Sequence, residues 1–325
     1  VALSLASDFK VYNEQFQGGF IETLQQATDI NGMAARSIRI VNRLIKGHYE
    51  QEAFTDQVVA VDERDITSDD PITPIKMTQD EFIGVKKNWR IGPYQAALDA
   101  YYKTGRSPDA MPFEIGVQAA KATIVDQLNT AIGATRAALE TYGATVTNTA
   151  SGGTITTEGL IDTLAKAGDA SAQVALWVMH SKQYHDLLKD QVTDAVYRAD
   201  GVTIMQGVPA TLGRPVLITD SPDLVQTSGV SSGIDEYHVL GLYPGALELA
   251  VSEPPRVFIE QMTGSANLKL QWQAEGAYNL KLRGFQWDTT NGGIDPTNAE
   301  LKTGTNWDAV VADRKLLSGV LMLVR

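Results

Sequence analysis

Four histidines are the only imidazoles in the chain, and two of them, His180 and His185, lie five residues apart with Asp186 and Asp190 close behind. Imidazole and carboxylate are the donor set of a zinc or iron site. The spacing argues against one, because two ligands on one helical face need an i, i+4 pair as in H-E-x-x-H. His180 instead closes an apolar strand pattern ahead of the helix. Gly229-Val-Ser-Ser-Gly233 matches G-x-S-x-G, with Asp235 and His238 downstream, which would make Ser231 a hydrolase nucleophile. That motif works only where a strand turns sharply into a helix; here a polar loop surrounds it and a strand follows. Residues 201–213 hold three glycines but neither the lysine of a P-loop nor G-x-G-x-x-G. The acidic run at 62–70 lacks the glycine and closing glutamate of an EF-hand. No constellation supports an enzyme, a cofactor site or a metal site.

The charges that point to a job lie elsewhere. Asp62, Glu63, Asp65, Asp69 and Asp70 crowd a tip that ends at Pro71, and Lys76, Lys86, Lys87 and Arg90 follow on the returning segment. Opposite charges at the tip and root of one projection attract between copies of a chain, so these residues are the candidate subunit-interface set; the alternative is a solvated charged loop. Two extended segments, 49–61 and 75–91, must position them. At about a dozen residues each they would project ~40 Å at ~3.4 Å per residue. A lone two-stranded ribbon is marginal in water, so it needs a surface to lie on.

The remaining elements follow from periodicity. Phe16, Phe20, Leu24 and Ala27 recur at helical spacing, and a second helical piece over 34–44 carries Arg36, Arg39 and Arg43. From Phe113 to Tyr142 apolar residues return every three or four positions, with Pro112 suited to a first turn and Gly143 to the residue after a helix end. That spacing predicts a helix over 112–142, ~45 Å long at ~1.5 Å per residue, with a narrow, alanine-rich stripe. Residues 144–156 read as a Thr/Ser/Gly linker and 157–167 as a short helix. The stretch 174–222 forms one α/β unit: a buried strand through Trp177, a helix capped by Ser181, a Gly/Pro loop and a returning strand at 215–219. Strand texture dominates from Tyr237 onward, 288–308 is loop-rich, and 310–323 is apolar again.

The chain has 325 residues, a net charge of −12 and no cysteine. Disulfides, thiolate zinc sites and cysteine nucleophiles are excluded. The negative balance opposes sequence-independent binding to a polyanion. No run of about 18 apolar residues offers a membrane span, and the opening VALSLASDFK lacks the basic and apolar regions of a secretion signal.

The order of parts resembles the tailed-phage major capsid proteins of the Hong Kong 97-type fold. Trp177-Val-Met-His-Ser-Lys-Gln-Tyr184 with Leu187-Leu-Lys-Asp190, and Thr211-Leu-Gly-Arg-Pro-Val-Leu-Ile-Thr-Asp-Ser-Pro222, are similar to the family's axial-domain strand–helix and return strand. Residues 237–250 and Glu275-Gly-Ala-Tyr-Asn-Leu-Lys-Leu-Arg-Gly-Phe285 look like its later strands. The resemblance implies an α+β fold divided into an N-terminal arm (1–45), an extended β-hairpin loop (46–92) and a peripheral domain with the spine helix (93–156). An axial domain (157–260) would follow, then strands returning to the peripheral domain with a C-terminal extension (261–325), of which 288–325 fit the family least.

It further implies a non-enzymatic virion protein without cofactors, assembled in the host cytoplasm into pentamers and hexamers of an icosahedral shell. Double-stranded DNA would be enclosed without sequence-specific binding, and no membrane would be involved. Portal and decoration or cement proteins would be partners, and because no acidic helical segment precedes the arm, assembly would need a separate scaffolding protein or a scaffolding segment already removed. Some relatives join subunits by a Lys–Asn isopeptide bond; Lys76, Lys86 and Lys87 lie in the right region, but no asparagine partner is evident. The alternatives are an encapsulin-like nanocompartment of the same fold and a serine hydrolase using Ser231.

Overall fold

The computed structural model describes residues 36–55, 79–97, 111–148, 153–197, 211–226, 235–264, 266–311 and 313–325, with single positions at 63, 66, 67, 71, 74, 99 and 103. The helix expected around 16–27 lies outside these residues. In chain order the elements are β1 (Ile38–Asn42), β2 (Tyr49–Thr55), β3 (Gln79–Ala97), α1 (Met111–Tyr142), β4 (Val146–Asn148), α2 (Thr157–Lys166), β5 (Leu176–Met179) and α3 (Ser181–Tyr197). There follow β6 (Val216–Ile218), β7 (Val225–Gln226), β8 (Glu236–Leu242), β9 (Leu247–Met262), β10 (Lys269–Leu282), β11 (Phe285–Trp287), α4 (Asn298–Leu301), β12 (Trp307–Ala309) and β13 (Gly319–Val324).

The spine helix α1 forms as its periodicity predicts, over 32 residues. Gly143 ends it at φ +72°, with its N–H on the Leu139 carbonyl at 3.1 Å, the left-handed stop that costs glycine no Cβ clash. The middle of the helix is buried all round: 131–135 is a continuous run of buried positions. Ala131, Ile132, Ala138 and Leu139 share one core with Leu249, Tyr278 and Leu280 on one side and Leu176, Val178, Leu240 and Leu321 on the other. Alanine therefore serves close approach to two sheets at once.

The first sheet runs β1-β9-β10-β3-β2, and the second runs β4-β13-β8-β5-β6 with β7 also on β8. Strand alternation sorts the second sheet's side chains. Leu176 and Val178 of β5 face the core around α1, whereas Trp177 and Met179 face Leu160 and Leu164 of α2 and Leu187 of α3. Trp177 packs so tightly against β8 that a Cβ on Gly241 would fall 2.8 Å from its ring. β13 sits inside this sheet, antiparallel to β8 and parallel to β4. β9 belongs to the first sheet, so sheet membership crosses residue 260 in both directions.

Several local expectations are corrected. Residues 38–42 are a strand parallel to β9, not helix. Ile38 and Ile40 join the core while Arg39 points out, so the two-residue period overrides the helical spacing of the arginines. The linker holds β4 against Leu321–Leu323, and Thr156 caps α2 by accepting from the Gly159 N–H at 3.1 Å. Ser181 does not cap α3: its hydroxyl bonds Asp220, and the Lys182 N–H donates to His180 Nδ1 at 3.2 Å instead. The return strand is half open, with Ile218 exposed. Residues 288–308 are tied down by an edge-on Trp287–Trp307 pair at 5.0 Å and a full capping box at Thr297 and Glu300. β3 continues past residue 91 to Ala97 by a register shift opposite Gly92-Pro93. A bulge there admits proline because β2 pairs only with Gln79–Val85, leaving that side of β3 without a β2 partner.

Candidate subunit interface

The hairpin starts as expected, with β2 antiparallel to the first part of β3 and Phe54 stacked on Phe82 at 4.5 Å. Asp62, Asp65, Asp69, Asp70 and Lys76 lie outside the described residues; Glu63 is exposed. The three basic residues at the root go different ways. Lys86 is buried, and its ammonium donates to the Ile45 carbonyl at 2.9 Å and to Glu253 Oε1 at 3.2 Å. Lys87 donates to the Pro296 carbonyl at 2.8 Å. Burial pushes its pKa down, partly offset by Asp295, Asp126 and Glu300. Arg90 is exposed and stands in register with Glu275 and, one strand further, Arg256. Of the root charges, Lys86 and Lys87 are thus committed inside their own chain.

A larger charged surface appears only once the strands pair. Facing away from α1, the first sheet carries a cross-strand ladder: Arg39 to Glu248 at 3.5 Å, Arg43 to Glu248 at 3.1 Å and to Glu50, and Lys281 to Glu52. The Lys281 hydrogen bond holds the Glu52 carboxyl below its usual range. Asn279 bridges to Glu50 at 2.7 Å. The signal was present in the alternation of IRIVN and NLKLR, once both are known to be strands. Farther along, where β9, β10 and β3 run on beyond the outer strands, Phe258, Tyr94 and Leu268 are exposed. Phe258 keeps 71% of its surface in solvent, an unusual amount for an aromatic on a strand.

Asp186, Asp190, His180 and His238 all have structural partners. Asp186 accepts from Lys182 and Lys189 at 3.1 and 3.2 Å, Asp190 accepts from the Thr157 N–H at 3.3 Å, and His185 is exposed. His238 is buried between α1 and the turn before β7. Its Nδ1 lies 3.4 Å from the Leu224 carbonyl, and its Nε2 lies 3.5 Å from Arg136 Nη1 and 3.8 Å from Glu140. Burial first, and the Arg136 charge second, push its pKa down to about 4, so it is neutral at pH 7. Ser231 lies outside the described residues. Among the described residues no three His, Asp or Glu side chains converge as a metal centre, and no helix is long and apolar enough to cross a membrane.

With two sheets sharing a spine helix and a hairpin leaving the edge of one, the comparisons have a fold to attach to. The family profile of the Gp13-like proteins, described as major capsid protein 13-like, matches residues 8–321. The chain belongs to that family. No curated protein sequence matches it. Among solved structures, it is similar to the capsid of cyanophage Pam1, with a TM-score of 0.56 and 11% identity over 90% of this chain and 92% of that one. The head of Helicobacter pylori bacteriophage KHP40 gives 0.52 and 8%, over 89% and 88%. The capsid of Ralstonia phage GP4 gives 0.50 and 12%, over 77% and 86%. At these identities the likeness is one of fold, and that fold is the Hong Kong 97 type. As a member of the major capsid protein family the chain is a structural subunit, not an enzyme, and it works by assembling with its copies into the shell of a virion.

Proposed function

We propose that this major capsid protein builds the head of a tailed double-stranded DNA bacteriophage, as pentamers and hexamers of an icosahedral shell around the genome. The 46–92 hairpin lies across an adjacent subunit, and its acidic tip, with Asp62, Glu63, Asp65, Asp69 and Asp70, supplies part of the contact. Lys76 and Arg90 remain the candidates at its root. The parts divide as arm 1–45, hairpin 46–92, peripheral domain 93–156, axial domain 157–260 at the capsomer centre, and 261–325 returning. A separate scaffolding protein, a portal and decoration or cement proteins complete the particle, which forms in the host cytoplasm. The net charge of −12 suits a container that holds DNA without adhering to it.

The observation that carries this reading is the one-sided first sheet. It leaves a charged face and the Phe258 end in solvent, on a chain whose family acts as a shell. Large heterologous contacts that close into rings are the expected way to cover such surfaces. Deleting residues 63–71 tests it: shells should vanish from negative-stain images while circular dichroism keeps the folded signature. Normal shells from the deletion variant would sink the hairpin's role.

A further inference from the structure

With Lys86 and Lys87 spent inside the chain, Lys76 and Arg90 alone are left at the root to meet five tip carboxylates, and further counter-charge must come from elsewhere. Several basic side chains on the described surface already face a carboxylate: Arg39 and Arg43 face Glu248, Lys281 faces Glu52, Lys302 faces Asp223 and Lys315 faces Asp169. One concavity is different. A cleft of about 780 Å³ lies between the start of β5, the start of β6 and the turns after β8 and β10. Arg36 and Arg283 line it beside Gln173, Pro215 and Pro244, and among the described residues no carboxylate lines it.

Arg283 is held by its side chain and Arg36 by its backbone. The Arg36 carbonyl accepts the Gly245 N–H at 2.7 Å, fixing the backbone at the cleft rim. Arg283 donates to the Pro244 carbonyl at 3.0 Å and rests 5.7 Å from the centre of the Tyr243 ring. Behind the wall, Arg214 donates to the carbonyls of Val174 and Ser171, both at 2.9 Å. Those carbonyls are neutral, so its positive charge adds to the field in the cleft. Proline walls keep the local dielectric low and strengthen that field.

We infer that this cleft receives the 62–70 segment of a neighbouring copy, an inference that rests on the hairpin reading above. The segment carries five carboxylates against Arg64 alone, a net charge of −4, and arginine forks pair bidentately with carboxylates. A nucleic-acid backbone fits less well. It needs a long basic track to release many counterions, whereas here two guanidinium groups face a pocket on a chain of net charge −12.

The test is a charge swap in the full chain, read as shell yield by sedimentation and microscopy. Arg36→Glu/Arg283→Glu and Asp69→Arg/Asp70→Arg should each cut the yield at least about tenfold, because like charges then meet across the contact. The four substitutions combined should bring it back to within about threefold of the parent, since opposite charges face each other again. The milder Arg36→Gln/Arg283→Gln, with an unchanged melting temperature, should show a smaller loss and so separate docking from folding. Normal shells from the glutamate pair, or no recovery in the combined chain, would overturn the cleft assignment. Shells of normal yield that retain less DNA would also overturn it, by reassigning the cleft to phosphate. Normal assembly after deletion of 63–71 would instead remove the hairpin reading itself, whatever the cleft variants do.

Discussion

The two sheets share one helix but answer water differently. In the six-stranded sheet, β5 and β13 are buried at every position and β8 at all but one, with α1 on one face and α2 and α3 on the other. Such strands read as unbroken apolar runs, LWVM and GVLMLV, as expected of strands covered twice. In the five-stranded sheet only one face meets α1. β3 is buried from Ile83 to Lys86 and largely open at its two ends. The first sheet ends in ion pairs and exposed aromatics, the second in a closed core. The difference teaches that this subunit carries one self-sufficient lobe and one surface whose completion is left to other molecules.

The contrast can be broken most directly at Trp177. Trp177→Ala should cost roughly 3–5 kcal/mol in urea unfolding, and a loss under about 1 kcal/mol would mean the twice-covered sheet is looser than its burial implies. Next is the buried imidazole where α1 meets the closed sheet. The folded pKa of His238, about 4, lies below the ~6.5 of an unfolded histidine, so the unfolded chain takes up the proton first. Stability should therefore fall as pH drops from about 6.5 to about 4, by roughly 3 kcal/mol from this group, and then level off. His238→Gln should flatten that part of the profile; an unchanged slope would exonerate the histidine.

On the open sheet the effects should shrink. Lys86→Met strands the Ile45 carbonyl and weakens the hold on residues 43–46, which should cost about 1–3 kcal/mol, visible as faster amide exchange there. Arg39→Ala removes only a partly solvated ladder rung and should change stability by less than about 1 kcal/mol, with the difference vanishing in high salt. If Arg39→Ala proved as damaging as Trp177→Ala, the two faces would not differ in kind.

Much of this was legible in the residues. The period of α1 locates it to within one residue at its start, and LWVM marks an interior strand of the closed sheet. What stayed hidden depended on partners far along the chain. Arg39 of β1 and the flanking Arg36 and Arg43 fall at helical spacing, and only the parallel neighbour, more than two hundred residues later, makes β1 a strand. Lys86 and Lys87 look like solvated root charges because their acceptors, Glu253 and Pro296, are 167 and 209 residues away. Ser181 is a plausible cap by type, but Asp220 across the lobe competes for its hydroxyl. The Arg36–Arg283 cleft joins residues that no window of sequence brings together.

The place of β13 carries one more consequence. It is flanked by β4 and β8, so among the described strands β4 joins the closed sheet only through residues 321–323 of β13. During synthesis, β5 and β8 must wait for that strand with the face of Trp177 incompletely covered. Any chain that stops before residue 319 lacks the keystone of its lobe. Completion of the closed lobe therefore waits on residues 319–324, however much of the chain has been made before them.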